Sequence, residues 1–128
     1  MFAGVLFDFD GTLVDTTELI IKSFQHTLLP HLDRVIEPEE VFPYFGMTLR
    51  EGLGAFKPDK VDEMLPKYRR FSDEHFDELT RPCPGVYESL QKLKAAGIKM
   101  AVVTSRTRQT TLYGMRLFEL EKFFPVVV

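Results

Sequence analysis

Short, largely apolar runs alternate along the chain with longer stretches of mixed apolar and polar residues. Ala3–Phe7 is the first such run, Ile98–Thr104 is the second, and Phe123–Val128 is the third. Apolar runs of this length are typical of strands that are buried on both faces of a parallel sheet. The sequence therefore predicts three buried strands, the first of which delivers polar residues at its carboxyl end.

Between the first two strands, apolar residues recur every three or four positions, which predicts amphipathic helices. The first helix is expected to begin after a cap at Asp15 or Thr16 and to stop at Pro30. A second helix is expected to begin at Thr48, because Glu51 follows three residues later with the spacing of a capping box.

A longer helical stripe begins near Pro58, and a break or kink is expected in it at Pro66. The prolines of Arg81–Gly85 then predict a hinge and a domain boundary. Beyond this boundary the periodicity predicts one helix that ends before Gly97 and another over Thr107–Phe118. This alternation of strands and helices favours an α/β fold.

Right-handed crossovers fix the order in which the predicted strands lie side by side. The Ile98–Thr104 strand is expected in the middle, and the Ala3–Phe7 strand is expected at an edge. An apolar edge strand without lysine or proline is a template for pairing with another chain. We therefore expect either association along Ala3–Phe7, with a second copy of the chain or with a complementary C-terminal segment, or severe instability.

Composition excludes several classes of protein. The chain has 128 residues, of which 45% are hydrophobic and 27% are charged, and its formal net charge is −3. The absence of a dense basic cluster argues against nucleic acid as a partner, and no apolar run is long enough to predict a membrane span. Cys83 is the single cysteine, which favours a reducing, cytoplasmic setting and predicts an inert thiol.

The residues after the first strand are the strongest candidates for chemistry. Asp8 and Asp10 are separated by one residue, so alternation in an extended segment points both carboxylates the same way. Gly11 allows a tight turn in which backbone N–H groups can face an oxyanion. A calcium-binding EF-hand loop is excluded, because Leu13 and Leu19 occupy the positions that need glycine and glutamate.

The segment Asp8–Thr12, which reads Asp-Phe-Asp-Gly-Thr, resembles the first motif of the haloacid dehalogenase superfamily of phosphohydrolases. Val102–Ser105 resembles the second motif of that family, in which a hydroxyl holds a phosphoryl oxygen. The resemblance implies a three-layer, Rossmann-like core with a parallel sheet, formed in part by residues 1–15 and 81–128. It also implies a small all-helical cap inserted at residues 16–80.

The resemblance assigns roles to individual residues. Asp8 would be the nucleophile that accepts the phosphoryl group as an aspartyl phosphate. Asp10 would be the general acid and base, a role that dehalogenases of the family lack. Backbone N–H groups and hydroxyls would hold the phosphoryl oxygens, at Phe9, Gly11, and Thr104 or Ser105. For the two hydroxyls, an ordinary polar strand end is the alternative interpretation.

Mg²⁺ is the cofactor that the resemblance implies. The carboxylate of Asp8 and the backbone carbonyl of Asp10 would hold it. The third and fourth motifs of the family, a lysine and one or two acidic metal ligands, fall beyond the strand that starts at Pro125. The chain therefore looks truncated, and we expect weak activity from these residues alone.

The substrate is expected to be a small phosphorylated metabolite or pyrophosphate. Residues 46–51 and 93–98 are similar to bacterial phosphoglycolate phosphatases and to their pyrophosphatase relatives. Arg50 is a candidate to meet the distal anionic end of the substrate, although a surface arginine in a capping box is an equal interpretation. Two alternatives stay open: a phosphomutase of the β-phosphoglucomutase type, and an inactive fragment that associates through its open sheet edge.

Overall fold

The computed structural model describes residues 4–104 and 106–127 of the chain. The strands are β1 (Gly4–Phe7), β2 (Val14–Asp15), β3 (Arg81–Pro82), β4 (Lys99–Val102) and β5 (Val126–Val127). The α-helices are α1 (Thr17–Leu32), α2 (Pro38–Val41), α3 (Leu49–Phe56), α4 (Val61–Leu79), α5 (Val86–Ala95) and α6 (Arg108–Leu117). Short 3₁₀ turns cover Phe42–Tyr44, Pro58–Lys60 and Glu121–Phe123.

The main sheet is parallel and has the strand order β1-β4-β5. Phe7 lies opposite Val102, and Val102 lies opposite Val127. The predicted order is confirmed, and β1 is an edge strand of the sheet within the described ranges. Because parallel strands end at the same edge of a sheet, the loop that follows β1 lies beside the loop that follows β4.

A second, two-stranded sheet pairs β2 with β3 in antiparallel orientation. Asp15 lies opposite Arg81, and the Asp15 Oδ2 to Arg81 Nε distance is 3.8 Å. The sequence predicts a hinge or linker over Arg81–Gly85, and in the structure a short strand occupies its first two residues. A strand of only two residues is too short to produce a periodic pattern, which explains why the sequence does not reveal it.

The chain divides into two compact units. The first combines Met1–Thr16 with Thr80–Val128 and contains both sheets, whereas the second is Thr17–Leu79. The described part of the second unit contains only helices and 3₁₀ turns. Within the described ranges, no helix combines the length and the apolar character that crossing a membrane requires.

The helical unit is built on the contact between α1 and α4. Phe24 of α1 meets Tyr68 of α4 with ring centroids 5.4 Å apart in an edge-to-face arrangement. Buried apolar side chains from the helices and their connections form one cluster: Phe24, Leu28, Ile36, Val41, Leu53, Val61, Met64 and Leu65. Burial of these side chains supplies the hydrophobic free energy of the unit.

Two prolines lie inside helices, which contradicts the predicted stop at Pro30 and excludes a break at Pro66. The helix α1 continues past Pro30 to Leu32, and α4 is continuous through Pro66. Each proline removes one backbone hydrogen bond. Leu32 packs against the core cluster and Leu65 belongs to it. Burial of these neighbouring side chains outweighs the lost hydrogen bond.

The start of α3 has the predicted Thr48 cap but not the reciprocal backbone bond of a capping box. The Thr48 side chain accepts a hydrogen bond from the Glu51 N–H at 3.2 Å, and its hydroxyl contacts the Glu51 carboxylate at 3.0 Å. Close packing explains the glycine at position 52 of this helix, because a Cβ built on Gly52 would lie 2.9 Å from Cζ of Phe24. Gly52 therefore permits α3 to approach the aromatic core closely.

The first unit has its own buried core around the main sheet. Side chains from β2, β4, α5, α6, a 3₁₀ turn and the connecting loops are buried: Phe9, Leu13, Val14, Leu90, Met100, Val102, Met115, Leu120, Phe123 and Phe124. The Phe7 and Phe124 rings meet edge to face with centroids 5.6 Å apart. This core holds the carboxyl ends of β1 and β4 in place.

Cys83 follows β3 directly and lies in a partly buried position. Its backbone N–H donates to the Leu13 carbonyl at 3.0 Å. Burial raises the pKa of the thiol, and the nearby charge of Asp15 raises it further. The thiolate is the reactive form, so both effects agree with the predicted inert thiol.

Adjacent leucines in α1 offer a matched test of the helical core. Leu28 is fully buried, whereas Leu29 is 44% exposed. We expect Leu28→Ala to lower the free energy of unfolding by about 2–5 kcal/mol, because it leaves a cavity in the cluster. Leu29→Ala should change it by less than about 0.5 kcal/mol. Urea denaturation measures both, and equal losses would contradict the assignment of the buried face.

The pKa of Cys83 predicts slow alkylation. At pH 8, iodoacetamide should modify Cys83 more slowly than an unhindered small thiol, because a raised pKa leaves less thiolate. Asp15→Asn should speed the reaction by removing the nearby negative charge, whereas Asp33→Asn in the helical unit should not. Mass spectrometry of timed samples gives the rates. Equal rates for the two variants would show that the Asp15 charge has no effect on the thiol.

Candidate active site

The segment after β1 separates one apolar side chain from two acidic ones. Phe9 is fully buried. Asp8 is exposed and Asp10 is partly exposed, so both carboxylates reach solvent. Burial of the Phe9 ring fixes the backbone between the two acidic residues, because its side chain packs into the core below the loop.

A tight turn follows the second aspartate. The Phe9 carbonyl accepts hydrogen bonds from the N–H groups of Leu13 and Val14, each at 3.1 Å. Gly11 has a φ of +79°, a left-handed conformation that glycine adopts without strain. A Cβ at Gly11 would have no atom within 4 Å, so the turn requires glycine for its backbone conformation and not for space.

The backbone groups that the resemblance assigns to phosphate binding have acceptors within the chain. The Phe9 N–H donates to Asp8 Oδ1 at 2.7 Å. The Gly11 N–H donates to the Val14 carbonyl at 2.8 Å and closes the turn. The Phe9 N–H therefore orients the Asp8 carboxylate, while the Gly11 N–H holds the loop itself.

An ion pair joins the loop after β1 to the loop after β4. Arg106 Nε lies 3.2 Å from Oδ1 and 3.1 Å from Oδ2 of Asp10, and Arg106 Nη2 lies 2.6 Å from Oδ1. The Thr16 hydroxyl donates to the same Oδ1 at 2.8 Å. The Arg106 and Asp10 side chains are 16% and 30% exposed, so the pair is shielded from water more than an ordinary surface ion pair.

Thr104, one of the two predicted hydroxyl residues, lies two residues beyond the carboxyl end of β4. The Val103 N–H donates to the Phe7 carbonyl at 2.8 Å, which extends the contact between β1 and β4 to the last residue before Thr104. Thr104 Oγ1 accepts a hydrogen bond from the Arg106 N–H at 3.1 Å. Ser105, the other predicted hydroxyl, lies outside the described residues.

The sequence alone assigned neither Arg106 nor Thr16 to the candidate site. Arg106 reads as the end of a strand, and Thr16 reads as a helix cap. The available signal is topological, because parallel strands place the residues after β4 beside the residues after β1. A cation directly after a predicted strand of this sheet was therefore a candidate partner for Asp8 or Asp10.

Arg50 belongs to the helical unit, near the start of α3. Its Nη2 lies 3.1 Å from Asp62 Oδ1, and the two side chains are 63% and 89% exposed. An ion pair this exposed is weak, so the guanidinium can exchange partners at little cost. The contact accounts for its local conformation and assigns no substrate role.

Metal ligands are few at this site. Among residues 4–104 and 106–127, no group of three or more His, Cys, Asp or Glu side chains could hold a metal ion. A cation would depend on the oxygen atoms of Asp8 and Asp10, as the resemblance implies.

Comparison with known proteins identifies what the chain is similar to. Residues 5–128 match the family model described as haloacid dehalogenase-like hydrolase. Pyrophosphatase PpaX of Bacillus mycoides (strain KBAB4) is 45% identical over 124 residues, which is 97% of this chain and 58% of that protein. The chain thus spans less than two thirds of the length of this curated relative.

Solved structures share the fold. A haloacid dehalogenase-like family protein from Streptococcus pneumoniae has a TM-score of 0.90 and 20% identity, covering 98% of this chain and 60% of its own. A candidate beta-phosphoglucomutase from Thermotoga maritima has a TM-score of 0.76 and 28% identity, with 98% and 60% covered. The α/β fold with a parallel sheet expected from the sequence is therefore confirmed.

Proposed function

Because the chain belongs to the haloacid dehalogenase-like hydrolases, we propose that it carries the nucleophile and the acid-base group of a Mg²⁺-dependent phosphatase. Its proposed substrate is pyrophosphate or a small phosphoester such as phosphoglycolate. The supporting observation is the pairing of β1 with β4, which aligns the carboxyl ends of the strands that precede Asp8, Asp10 and Thr104. The name Pyrophosphatase PpaX of a 45% identical relative favours pyrophosphate.

In the proposed reaction Asp8 is the nucleophile. One of its carboxylate oxygens attacks the phosphorus atom, and the bond to the leaving oxygen breaks as the aspartyl phosphate forms. Asp10 gives a proton to that leaving oxygen. Asp10 then takes a proton from the water that attacks the aspartyl phosphate, which releases phosphate and regenerates Asp8.

Groups around the carboxylates hold the phosphoryl oxygens in this proposal. The Phe9 N–H, now bonded to Asp8 Oδ1, would turn to a phosphoryl oxygen when the Asp8 carboxylate reacts. The Thr104 hydroxyl, or that of Ser105, would donate to a second oxygen. The Gly11 N–H stays with Val14 and acts by shaping the loop. Such preorganised donors stabilise the charge of the transition state.

The donor set at this loop fits Mg²⁺. The Asp8 carboxylate is exposed, and with the Asp10 backbone carbonyl it offers the hard oxygen ligands that Mg²⁺ prefers. Mg²⁺ is commonly held by one or two carboxylates together with water and substrate oxygens, which suits a site with few protein ligands. When bound, the cation would neutralise charge on the phosphoryl oxygens.

The helical unit is proposed to act as the cap that selects the substrate. Arg50 is the proposed contact for the distal anionic end, since its guanidinium is exposed and only weakly paired. A phosphomutase of the beta-phosphoglucomutase type is the alternative within the family, and the 28% identical structural relative bears that name. The single cysteine supports a reducing, cytoplasmic setting.

A second proposal concerns the edge of the sheet. Leu6 of β1 is 73% exposed, and β1 is an edge strand within the described ranges. Unpaired backbone groups beside an exposed apolar side chain favour addition of another strand. We propose that β1 pairs with a second copy of the chain or with a complementary segment. If such pairing is the only reproducible property of these residues, they form an inactive fragment.

Hydrolysis of pyrophosphate tests the enzymatic proposal. We expect Mg²⁺-dependent release of phosphate that Asp8→Asn abolishes and that Asp10→Asn lowers by about 10²–10⁴-fold, because proton transfer is lost. Asp59→Asn, at an exposed position of the helical unit, is the matched control and should retain the activity. Equal background rates for the chain and Asp8→Asn would favour the inactive fragment.

Sedimentation velocity tests the edge-strand proposal. Leu6→Lys should shift the chain toward the monomer at micromolar concentration, because a charged side chain on an edge strand opposes pairing. Leu29→Lys, at an exposed leucine outside the sheet, should leave the distribution unchanged. A chain that is monomeric without any substitution would contradict the proposal.

A further inference from the structure

The Asp10 carboxylate is held by more donors than a simple ion pair requires. Its Oδ1 lies within hydrogen-bond distance of Arg106 Nε, Arg106 Nη2 and the Thr16 hydroxyl, at 3.2, 2.6 and 2.8 Å. Its Oδ2 lies 3.1 Å from Arg106 Nε. In this arrangement Oδ1 is fully occupied, and Arg106 covers both oxygens.

The guanidinium of Arg106 is held in a fixed place. Its central carbon lies 5.7 Å from the centroid of the Phe9 ring, which is itself fully buried. The Arg106 side chain is 16% exposed, and its backbone N–H is bonded to Thr104. A guanidinium that rests on an aromatic face and projects from an anchored backbone is preorganised to receive a planar pair of oxygens.

Carboxylate and phosphate compete for the same guanidinium geometry. Both bind arginine through two parallel N–H to oxygen hydrogen bonds, and phosphate carries the greater charge. Thr104 is the predicted phosphate-binding hydroxyl, and Arg106 is two residues away with its N–H on the Thr104 oxygen. An anion that reaches Thr104 therefore arrives beside the contact between Arg106 and Asp10.

We propose that Arg106 is the receptor for an anionic group of the substrate and that it exchanges the Asp10 carboxylate for phosphate oxygens when substrate binds. The inference rests on the proposed function, because release of Asp10 matters only if Asp10 transfers protons. Only hydrogen bonds and an ion pair change in this step, and no covalent bond forms or breaks. Thr16 remains on Asp10 and keeps the released carboxylate oriented.

The exchange predicts that one substitution in the site increases the affinity for substrate, whereas loss of a contact ordinarily lowers it. Asp10→Asn keeps the size of the side chain but removes the charge that competes for Arg106. Asp10→Asn should therefore bind pyrophosphate about 3- to 10-fold more tightly than the unsubstituted chain, although it reacts more slowly. Unfolding or a merely structural role of the ion pair cannot produce tighter binding.

Isothermal titration of the chain with inorganic pyrophosphate, in EDTA so that no turnover occurs, measures this effect. Arg106→Lys should weaken binding about tenfold or more, because lysine keeps the charge but loses the planar fork. Arg116→Lys, at an exposed arginine of α6, is the matched control and should bind as the unsubstituted chain does. Thermal melting monitored by circular dichroism confirms that each variant is folded.

The double variant Asp10→Asn with Arg106→Gln separates exchange from a general charge effect. Under the proposal, the gain in affinity from Asp10→Asn disappears when Arg106 is glutamine, because no cation is left for the Asp10 carboxylate and phosphate to compete for. A gain that persists in the double variant, no gain in Asp10→Asn, or no detectable binding of pyrophosphate to the unsubstituted chain would each overturn the inference. If Arg106→Gln does not fold, Arg106→Met, which also removes the charge, replaces it in both comparisons.

This binding experiment is independent of turnover. Hydrolysis is assayed separately with Mg²⁺, so tight binding through Arg106 without hydrolysis would remove the proposed function and leave Arg106 as an anion receptor. If Asp8→Asn abolishes hydrolysis but Arg106→Lys leaves KM unchanged, the proposed function stands and the proposed role of Arg106 is removed. In a chain that hydrolyses pyrophosphate, Arg106→Lys should raise KM more than it lowers kcat.

Discussion

Parallel pairing of β1 with β4 is the constraint on which the site depends. The register that sets Phe7 opposite Val102 aligns the carboxyl ends of the two strands. Asp10, six residues after the start of β1, thereby meets Arg106, which is 96 positions away in sequence. No local pattern could bring these residues together. The burial of Phe9 and the Gly11 turn then decide how each carboxylate is presented.

Sequence patterns predicted the elements whose signal extends over several residues. The three strands of the main sheet, the edge position of β1 and the Thr48 cap of α3 follow from hydrophobic runs, crossover handedness and capping chemistry. The expected burial of β1 on both faces was wrong, because β1 lies at an edge of the sheet within the described ranges and its Leu6 is 73% exposed. The expected stop at Pro30 was wrong and α4 has no break at Pro66, because local preference is a weak guide where the flanking side chains are buried. The pairing of β2 with β3 was missed because two-residue strands carry no period.

Some residues of the candidate site could likewise be selected from the sequence, and others could not. Asp8, Asp10 and Thr104 could be selected from motifs, because each follows an apolar strand in a short and recognisable segment. Arg106 could not, since its role comes from a contact across the sheet and not from its neighbours in sequence. The N–H of Gly11 also differs from expectation, because it closes the turn on Val14. Motifs thus identified the candidate reactive groups, and the structure was needed to find that Arg106 is paired with one of them.

The central claim is that Asp8 is the residue that accepts the phosphoryl group. Beryllium fluoride mimics a phosphoryl group on a carboxylate, and fluorine NMR reports directly whether it is bound. With Mg²⁺ present, the account predicts protein-bound fluorine resonances for the chain and for Asp59→Asn, and none for Asp8→Asn. Bound resonances that survive in Asp8→Asn, or that are absent from the unsubstituted chain, would contradict it.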